Sequence, residues 1–533
     1  MKNCSKFYTV LFIFFWTPIQ GQQVPIPMDH PVNDLILRLI TQKKIQNIQH
    51  GSRPFSVHQV ERILSEVSND KDLLDKKELA LVHRFLNEFR TDSFKEGLEG
   101  PWNKSQIVST FKRLVRSYNP DTPETRFISY DDEEITLWTD WEESFSVDMN
   151  DSVSRSFFRD RVTIAGHFAE KLSFYSRYTL YRMHFNENDP YPDEYKQGYT
   201  LLEENTDWLV WDVSEASLFW ENDVMNLELS KIPIYWGFSK KHSPILSSNV
   251  QSFAFFRVSK TFKKIRAQSM MGSLTPFSNG DISINKFIAA HRFEFDLTQD
   301  LTISFSEMVL YADRDIELGY LLPVNLFWSE EHSLGNKDNV LMSFDAFWRV
   351  KPKLSVYGTF FWDELAWFKL FKPWWGNKFI FQTGVYWIPF KNLQLPDFRF
   401  EYTASRPWVY THQDSLLNYT SAEHGLGFPL GPNSQLFYLE MNMWPSSKMF
   451  LSFNIINLKK GTELGSSVND NYTLRNTDLD DNTSMLLGEI SESISIGVDL
   501  NYRLTQLIYL QGKCNYNVDT EILMGRVGIL INY

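Results

Sequence analysis

Charged and aromatic side chains alternate in a short segment in the middle of the chain. Arg292, Glu294 and Asp296 occupy every second position, and Phe293 and Phe295 lie between them. Because neighbouring side chains of a β-strand point to opposite faces, the three charges share one face and the two rings the other. On a strand that crosses a membrane, this pattern predicts charges in a barrel lumen and rings toward lipid.

More charged and aromatic side chains follow in the next 120 or so residues. We predict that they line a polar, aromatic-rimmed cavity that hydrogen-bonds sugar hydroxyls and stacks on sugar faces. Glu307 shares the register of the outward Ile303 and Phe305, so we expect a bulge or the membrane edge before it and an inward carboxylate. The candidates are Arg292, Glu294, Glu307, Tyr311, Arg314, Glu317, Tyr320, Asp345, Tyr402, Trp408 and His412.

A second interpretation of the same residues is structural. Buried charges must be paired, so these carboxylates and arginines are also suited to an ion-pair network that fills a closed lumen. The two interpretations are compatible, because a rigid network can position a ligand at its mouth.

Catalytic patterns are weak in this sequence. The adjacent carboxylates Glu330-Glu331 and Asp363-Glu364 would suit a glycosidase only if both members reached one side, and neighbours on a strand do not. The chain has no HExxH motif, cysteine pair, Gly-x-Ser-x-Gly elbow or phosphate-binding glycine loop. We therefore expect no enzyme activity, no metal and no cofactor, with hydrolysis of glycan or lipid as the least favoured alternative.

The first residues indicate export. Lys2 and Lys6 precede an apolar run, Phe7 to Trp16, that ends near the small residue Gly21. This is typical of a secretory signal peptide, which we assign to residues 1–21. Its removal leaves Cys514 as the single thiol, so the mature chain has no internal disulfide.

Composition narrows the classes of protein. The 533 residues carry a formal charge of −13, which argues against nucleic acid as a partner. Beyond the signal peptide no run of about 18 apolar residues could form a membrane-spanning helix. A content of 16% aromatic residues at a mean hydropathy of −0.31 favours alternating lipid-facing and lumen-facing strands over a soluble β-protein.

Residues 22–124 have a helical pattern. Val32, Leu35, Ile36, Leu39 and Ile40 recur at helical spacing after Pro31. A capping box from Ser56 to Gln59 begins a second helix, Asp75 and Glu78 begin a third, and the stretch 107–115 suggests a fourth. None is long enough to bury its apolar face alone, so we expect a small periplasmic bundle that packs on itself or on the barrel.

From residue 125 to 533 apolar and polar side chains alternate with a period of two residues, as they do in β-strands. Ile494 to Tyr502 and Ile508 to Tyr516 alternate strictly, and the last strand places Val527, Ile529, Ile531 and Tyr533 on one face. A terminal aromatic residue in that register resembles the signal by which barrels reach the barrel-assembly machinery. About 400 residues would give roughly 16 to 20 antiparallel strands. Stretches 186–199 and 461–483 are predicted external loops.

The order of several motifs resembles the Wzi-type capsule-assembly family, with a helical segment ahead of the barrel. The resemblance implies about 18 strands, a periplasmic helical bundle and a role in attaching or assembling capsular polysaccharide. The motifs are Leu37-Arg38, Arg53-Pro54-Phe55-Ser56, His291 to Phe295, Ser306-Glu307, Tyr311, Arg314, Glu317, Tyr320, Pro323, Glu330 to His332, Asp338-Asn339, Asp345, Glu401-Tyr402, Arg406 to Trp408, Tyr410 to His412, Asn418-Tyr419 and Gly425 to Asn433.

The sequence therefore predicts an outer-membrane barrel that binds or assembles surface polysaccharide without catalysis. Its expected partners are that polysaccharide, outer-membrane lipid, the assembly machinery and a candidate periplasmic export protein. A porin or substrate channel is the alternative, and it would need a water-filled path. For the helical segment, a plug at the periplasmic mouth and a docking module for the export partner both remain open.

Overall fold

The computed structural model describes residues 24–45, 50–70, 72–89, 97–100, 108, 112–120, 126–132, 134–149, 154–168, 171–185, 201–204, 207–222, 224–276, 284–364, 367–369 and 372–533. The predicted signal peptide, residues 107 and 109–111 of the fourth predicted helix and the predicted loop 186–199 lie outside these residues, whereas residues 108 and 112–115 are helical, as predicted.

Three helices form at the positions predicted from the sequence: α1 (Val32–Thr41), α2 (Val57–Asn69) and α3 (Lys76–Phe89). Ser56 and Gln59 form the capping box of α2, since each side chain bonds the other's backbone N–H. Asp75 and Glu78 cap α3 in the same way. Within the described residues, no helix is long and apolar enough to cross a membrane.

Eighteen antiparallel strands form a closed ring among the described residues, which confirms the predicted fold. The last strand pairs with the first, with Val527 opposite Val147, and this closes the barrel. In ring order the strands are β4 (Ile135–Met149), β5 (Ser154–Phe168), β6 (Leu172–His184), β8 (Trp208–Glu221), β9 (Asn226–Lys231), β11 (Ala254–Phe262), β12 (Ile265–Leu274), β13 (Lys286–Asp296), β14 (Leu301–Ala312), β15 (Asn339–Lys351), β16 (Leu354–Glu364), β17 (Lys378–Trp387), β18 (Asp397–Ser405), β21 (Ser434–Ser446), β22 (Met449–Gly461), β23 (Ile490–Arg503), β24 (Ile508–Asn517) and β25 (Ile522–Asn532).

Seven shorter strands accompany the ring. Three extend its wall: β2 (Gly97–Glu99) and β3 (Ile128–Asp131) continue from β4, and β7 (Leu201–Glu204) pairs with β8. The other four form two small pairs, β1 (Ser52–Arg53) with β10 (Tyr235–Trp236) and β19 (Thr420–Ser421) with β20 (His424–Gly425).

The two ends of the barrel differ in their connections. Short turns such as 263–264, 352–353 and 447–448 join strands at one end, which we call the turn end, and the C-terminus lies there too. Long connections such as 313–338, 406–433 and 462–489 lie at the opposite end, the loop end. In outer-membrane barrels the short turns are periplasmic and the long loops extracellular.

Alternation along the strands sets which side chains face inward. On β25, Val527 and Ile529 are exposed on the outer face, as predicted, whereas Arg526 pairs inward with the buried Asp148 of β4. The period of two therefore gives the barrel a largely apolar outer face and a polar inner face.

Two segments enter the lumen, one from each end, and pack against the wall formed by β12 to β18. The segment with α1 and β1 enters from the turn end, and the connection 232–253 folds inward from the loop end. They meet where β1 pairs with β10 and Gly237 N–H donates to the carbonyl of Gly51 at 2.8 Å. A second inward connection, 406–433, continues the filling, since Ser247 N–H donates to the carbonyl of Leu426 at 2.8 Å.

A single hydrophobic cluster joins the helices to the barrel interior. It includes Leu35 of α1 and Phe85 of α3, Trp236 of the inward connection and Phe361 of the wall, all of them buried. The helices thus pack on the barrel as well as on one another.

Candidate functional site

The first predicted charges form a network in the middle of the lumen, which we call the central network. The guanidinium of Arg292 donates to both oxygens of Asp345, at 2.9 and 2.6 Å, and to Glu294 at 2.9 Å. Ser52 of β1 donates to Glu294 at 2.8 Å. These residues face one another because they occupy inward positions on β13 and β15.

A second network surrounds α1 at the turn end. Arg38 donates to Asp397 and to the carbonyl of Lys391, the latter at 3.0 Å. Lys240 of the inward connection donates to Glu440 at 2.7 Å and to Asp34 at 3.1 Å. Since α1 and the inward connection have no strand periodicity, strand alternation could not indicate these contacts.

Both networks support the interpretation of a filled lumen. Arg292 and Glu294 are 0% exposed and Asp345 is 3% exposed, so a sugar has no open surface on them. Buried charges of this kind are stable only when each has a partner of opposite sign. The predicted charges of the central network therefore fix the segment that carries β1, which we call the plug, to the wall.

Six of the predicted site residues lie outside the barrel rather than in its lumen, which corrects the prediction, and five of the six lie together on β14 and the connection that follows it. Glu307 pairs opposite His291 without a bulge, in the outward register of Phe305, and Tyr311 follows in the same register. The carboxylate does not turn inward, because the connection 313–338 folds over it on the outer wall. Arg314, Glu317 and Tyr320 belong to this connection.

The last three candidates also occupy separate places. Tyr402 points outward on β18, 38% exposed, because its neighbour Glu401 faces the lumen. Trp408 is buried in the second inward connection, 406–433. Its backbone N–H donates to the carbonyl of Gly465 at 3.0 Å. His412 lies near the loop end, and burial and Lys378 lower its pKa. The predicted single cavity is therefore not assembled from these residues.

Sequence reasoning missed a group of rings and cations at the loop end, which we call the loop-end cluster: Trp375, Lys378, Tyr472 and Arg475. The guanidinium carbon of Arg475 lies 3.8 Å from the centre of the Trp375 ring, and that ring lies 5.3 Å from Tyr472. Lys378 Nζ lies 4.3 Å from the centre of the Tyr472 ring. Trp375 and Tyr472 lie nearly 100 residues apart in the sequence, so only the fold of the loops shows this proximity.

The loop-end cluster is held by its neighbours. Arg475 donates to both oxygens of Asp480, at 2.8 and 2.9 Å, and the backbone N–H of Trp375 donates to the carbonyl of Asp480 at 2.8 Å. Burial raises the pKa of Tyr472 to about 12, so its hydroxyl is a neutral donor at physiological pH. The two rings are half-buried, which leaves part of each available to a ligand.

A second missed feature is a cavity of about 430 Å³ between residues 25–29 and the inner wall of β5 and β6. Its wall carries Arg161 and Arg177 beside Tyr175. Arg161 pairs with Glu142 at 3.1 Å and Arg177 with Glu215 at 3.5 Å. These strands lie between the N-terminal motifs and those that begin at His291, and they carry none of the residues on which the family resemblance rests.

No group of three or more His, Cys, Asp or Glu side chains is placed to hold a metal ion in the part of the chain that the structure describes. The arrangement instead offers two kinds of surface: paired charges inside, and rings with cations at the loop end.

Comparison with known proteins identifies the fold. No protein-family model and no curated protein matches the chain. Among solved structures it is similar to Wzi of Escherichia coli, described as an outer-membrane protein involved in group 1 capsule assembly and a carbohydrate-binding β-barrel. The TM-score is 0.55 at 13% identity, over 96% of this chain and 99% of that one.

Two Pseudomonas aeruginosa proteins match less well. One is the outer-membrane protein OprD, with a TM-score of 0.41 at 9% identity over 74% of this chain and 94% of that one. The other is OccK7, with a TM-score of 0.43 at 6% identity over 75% of this chain and 98% of that one. The chain thus has the fold of an outer-membrane β-barrel and shares it with the capsule-assembly barrel, as the sequence resemblance predicted.

Proposed function

We propose that this protein is an outer-membrane barrel that holds surface polysaccharide at its loop end, by binding rather than by conduction or catalysis. The observation that carries the proposal is the loop-end cluster, in which two half-buried rings and a guanidinium lie together above a filled lumen. Aromatic faces stack on sugar rings, and guanidinium and hydroxyl groups bond to sugar hydroxyls and carboxylates.

The filled lumen supports binding over transport. A channel needs a continuous water-filled path. Here the plug and the wall share the central network, and β1 pairs with β10 across the lumen. This packing occupies the lumen beside β12 to β18 and leaves the loop end as a platform.

The likeness to Wzi supports the choice of ligand. That protein is described as carbohydrate-binding and as involved in capsule assembly. This chain shares its fold over nearly the full length of both, so we take surface polysaccharide as the ligand here. Residue Trp408 then has a supporting role, because it lies beneath Gly465 in the connection that carries Tyr472 and Arg475.

Calorimetric titration of the refolded barrel with the host's purified surface polysaccharide tests the proposal. We expect saturable binding that weakens about tenfold or more in Trp375→Ala, as loss of a stacked ring would cause. The control is Trp387→Ala, which removes an exposed tryptophan ring from the outer wall at the turn end, far from the loop-end cluster. Absence of binding by the wild-type barrel, or equal loss in both variants, would overturn the proposal.

A further inference from the structure

The connection between β14 and β15, residues 313–338, folds back against the outside of the barrel, and we call it the flange. It contains a short helix, α4 (Phe327–Ser333), and a preceding turn of 3-10 helix, Leu318–Leu321. Tyr320 and Phe327 of the flange bury Val309 and Tyr311, which face outward on β14. This cluster is separate from the core inside the lumen.

Glu307 fixes the flange to the wall. Its carboxylate accepts the backbone N–H groups of Phe327 and Trp328, at 3.0 and 2.8 Å, and so caps the start of α4. His291 Nε2 lies 3.0 Å from the same carboxylate. An outward carboxylate on the wall of a membrane barrel would otherwise face hydrocarbon, where an unpaired charge is strongly unfavourable. The flange removes that cost because it covers Glu307 completely.

The outer surface of the flange is apolar. Leu318 is 72% exposed, Val324 88% and Trp328 52%, and Leu322 and Leu326 are also exposed. In water so many exposed large side chains in one short segment would be unfavourable, whereas single ones are common. The exposed residues of the following stretch 329–337 are mainly polar, so the segment has an apolar and a polar part.

The flange also satisfies several of its own backbone groups in the apolar part. Asn325 donates from its side chain to the carbonyl of Gly319 at 3.0 Å, and its N–H donates to the carbonyl of Leu322 at 3.1 Å. Glu330 N–H donates to the carbonyl of Leu326 at 3.1 Å. Each internal bond lowers the cost of placing this backbone beside hydrocarbon.

The position of the flange continues the lipid-facing surface of the ring. Phe305 pairs opposite Phe344 on the outer wall, with ring centres 5.2 Å apart, and Phe344 is 55% exposed. Glu307 is two residues further along the same face toward the loop end, so α4 begins directly beside this aromatic row. The apolar surface of the flange is thus continuous with the surface that meets lipid.

We propose that the flange is a collar embedded in the leaflet at the loop end, and that its exposed side chains, Leu318 to Trp328, bind lipid acyl chains. This inference rests on the proposed membrane location. The collar would widen the barrel on the side of β12 to β15 and fix its depth in the leaflet.

Spin labels test this proposal in the mature protein, in which Cys514→Ser removes the native thiol. The label is placed at Val324→Cys on the flange, at Phe344→Cys as a lipid-facing control, and at Leu474→Cys, 73% exposed on a loop-end connection, as an aqueous control. Collision rates with oxygen, which concentrates in lipid, and with a water-soluble nickel complex are measured in phospholipid vesicles.

We expect the ratio of oxygen to nickel collisions at position 324 to match that at position 344 and to exceed that at position 474 severalfold. A ratio at 324 equal to that at 474 would place the flange in water and overturn the proposal. A label at 324 that neither reagent reaches would mean contact with protein, such as a second copy, and would also overturn it. If position 344 itself gave an aqueous ratio, the membrane location would fail and the collar with it.

Discussion

Gly51 lies against the buried guanidinium of Arg292, so closely that a Cβ atom at Gly51 would be 2.5 Å from Nη2 of Arg292. Gly51 belongs to the segment that enters the lumen from the turn end, and Arg292 belongs to the wall. The plug therefore passes the central network at a point where no side chain fits. This contact makes the filling of the lumen testable by single substitutions.

We predict that Gly51→Val loosens the plug. The added side chain must displace Arg292 from Asp345 and Glu294, at a cost of roughly 1 to 3 kcal/mol from overpacking. Limited proteolysis should cut residues 24–57 faster, and planar bilayers should show ion conductance that the wild-type barrel lacks. The matched control is Gly525→Val, at a site with open space. The prediction is contradicted if Gly51→Val resists the protease as well as the wild type does and conducts no more ions.

We predict that Arg292→Met strongly destabilises the barrel. The change leaves Asp345 and Glu294 buried without their shared partner, which costs about 3 to 5 kcal/mol. Unfolding in urea, followed by tryptophan fluorescence, measures the loss. Lys459→Met is the comparison, because Lys459 and Glu492 form an exposed ion pair 3.3 Å apart that salt and water screen. Equal unfolding curves for the two variants would mean that the central network contributes no stability.

The helical segment should respond to acid through Glu88. His30 Nε2 lies 2.8 Å from the Glu88 carboxylate, and His30 with the nearby arginines outweighs burial and lowers the pKa of Glu88 to about 2. A carboxylate with a depressed folded-state pKa stabilises the folded state above its unfolded value, near 4.5, and this contribution is lost as the pH falls toward 2.

Glu88→Gln should therefore weaken protection of α3 against hydrogen exchange by roughly 1 to 2 kcal/mol at pH 6, and by progressively less as the pH approaches 2. Hydrogen exchange with mass spectrometry at several pH values checks the difference between the variant and the wild type. A difference that does not change with pH would show that the carboxylate charge is not responsible.

The sequence predicted the ring of strands, the three helices and the inward charges Arg292, Glu294 and Asp345, because period and capping residues are local signals. It could not predict that connections 232–253 and 406–433 fold into the lumen, since their contacts join residues far apart in the chain. Glu307 shows the same limit. The alternation on β14 indicated that Glu307 is outward. The segment that covers it, 313–338, follows β14 and is not a strand, so alternation could not indicate where it folds.

The most direct test of the proposed role is made in cells that lack their own copy of this gene and carry wild-type protein, Trp375→Ala/Arg475→Ala or the outer-wall control Trp387→Ala. Surface polysaccharide bound to the cells and released into the medium is measured at equal barrel levels. We predict that the double variant loses most bound polymer to the medium while the control resembles wild type. Unchanged retention by the double variant would contradict the account.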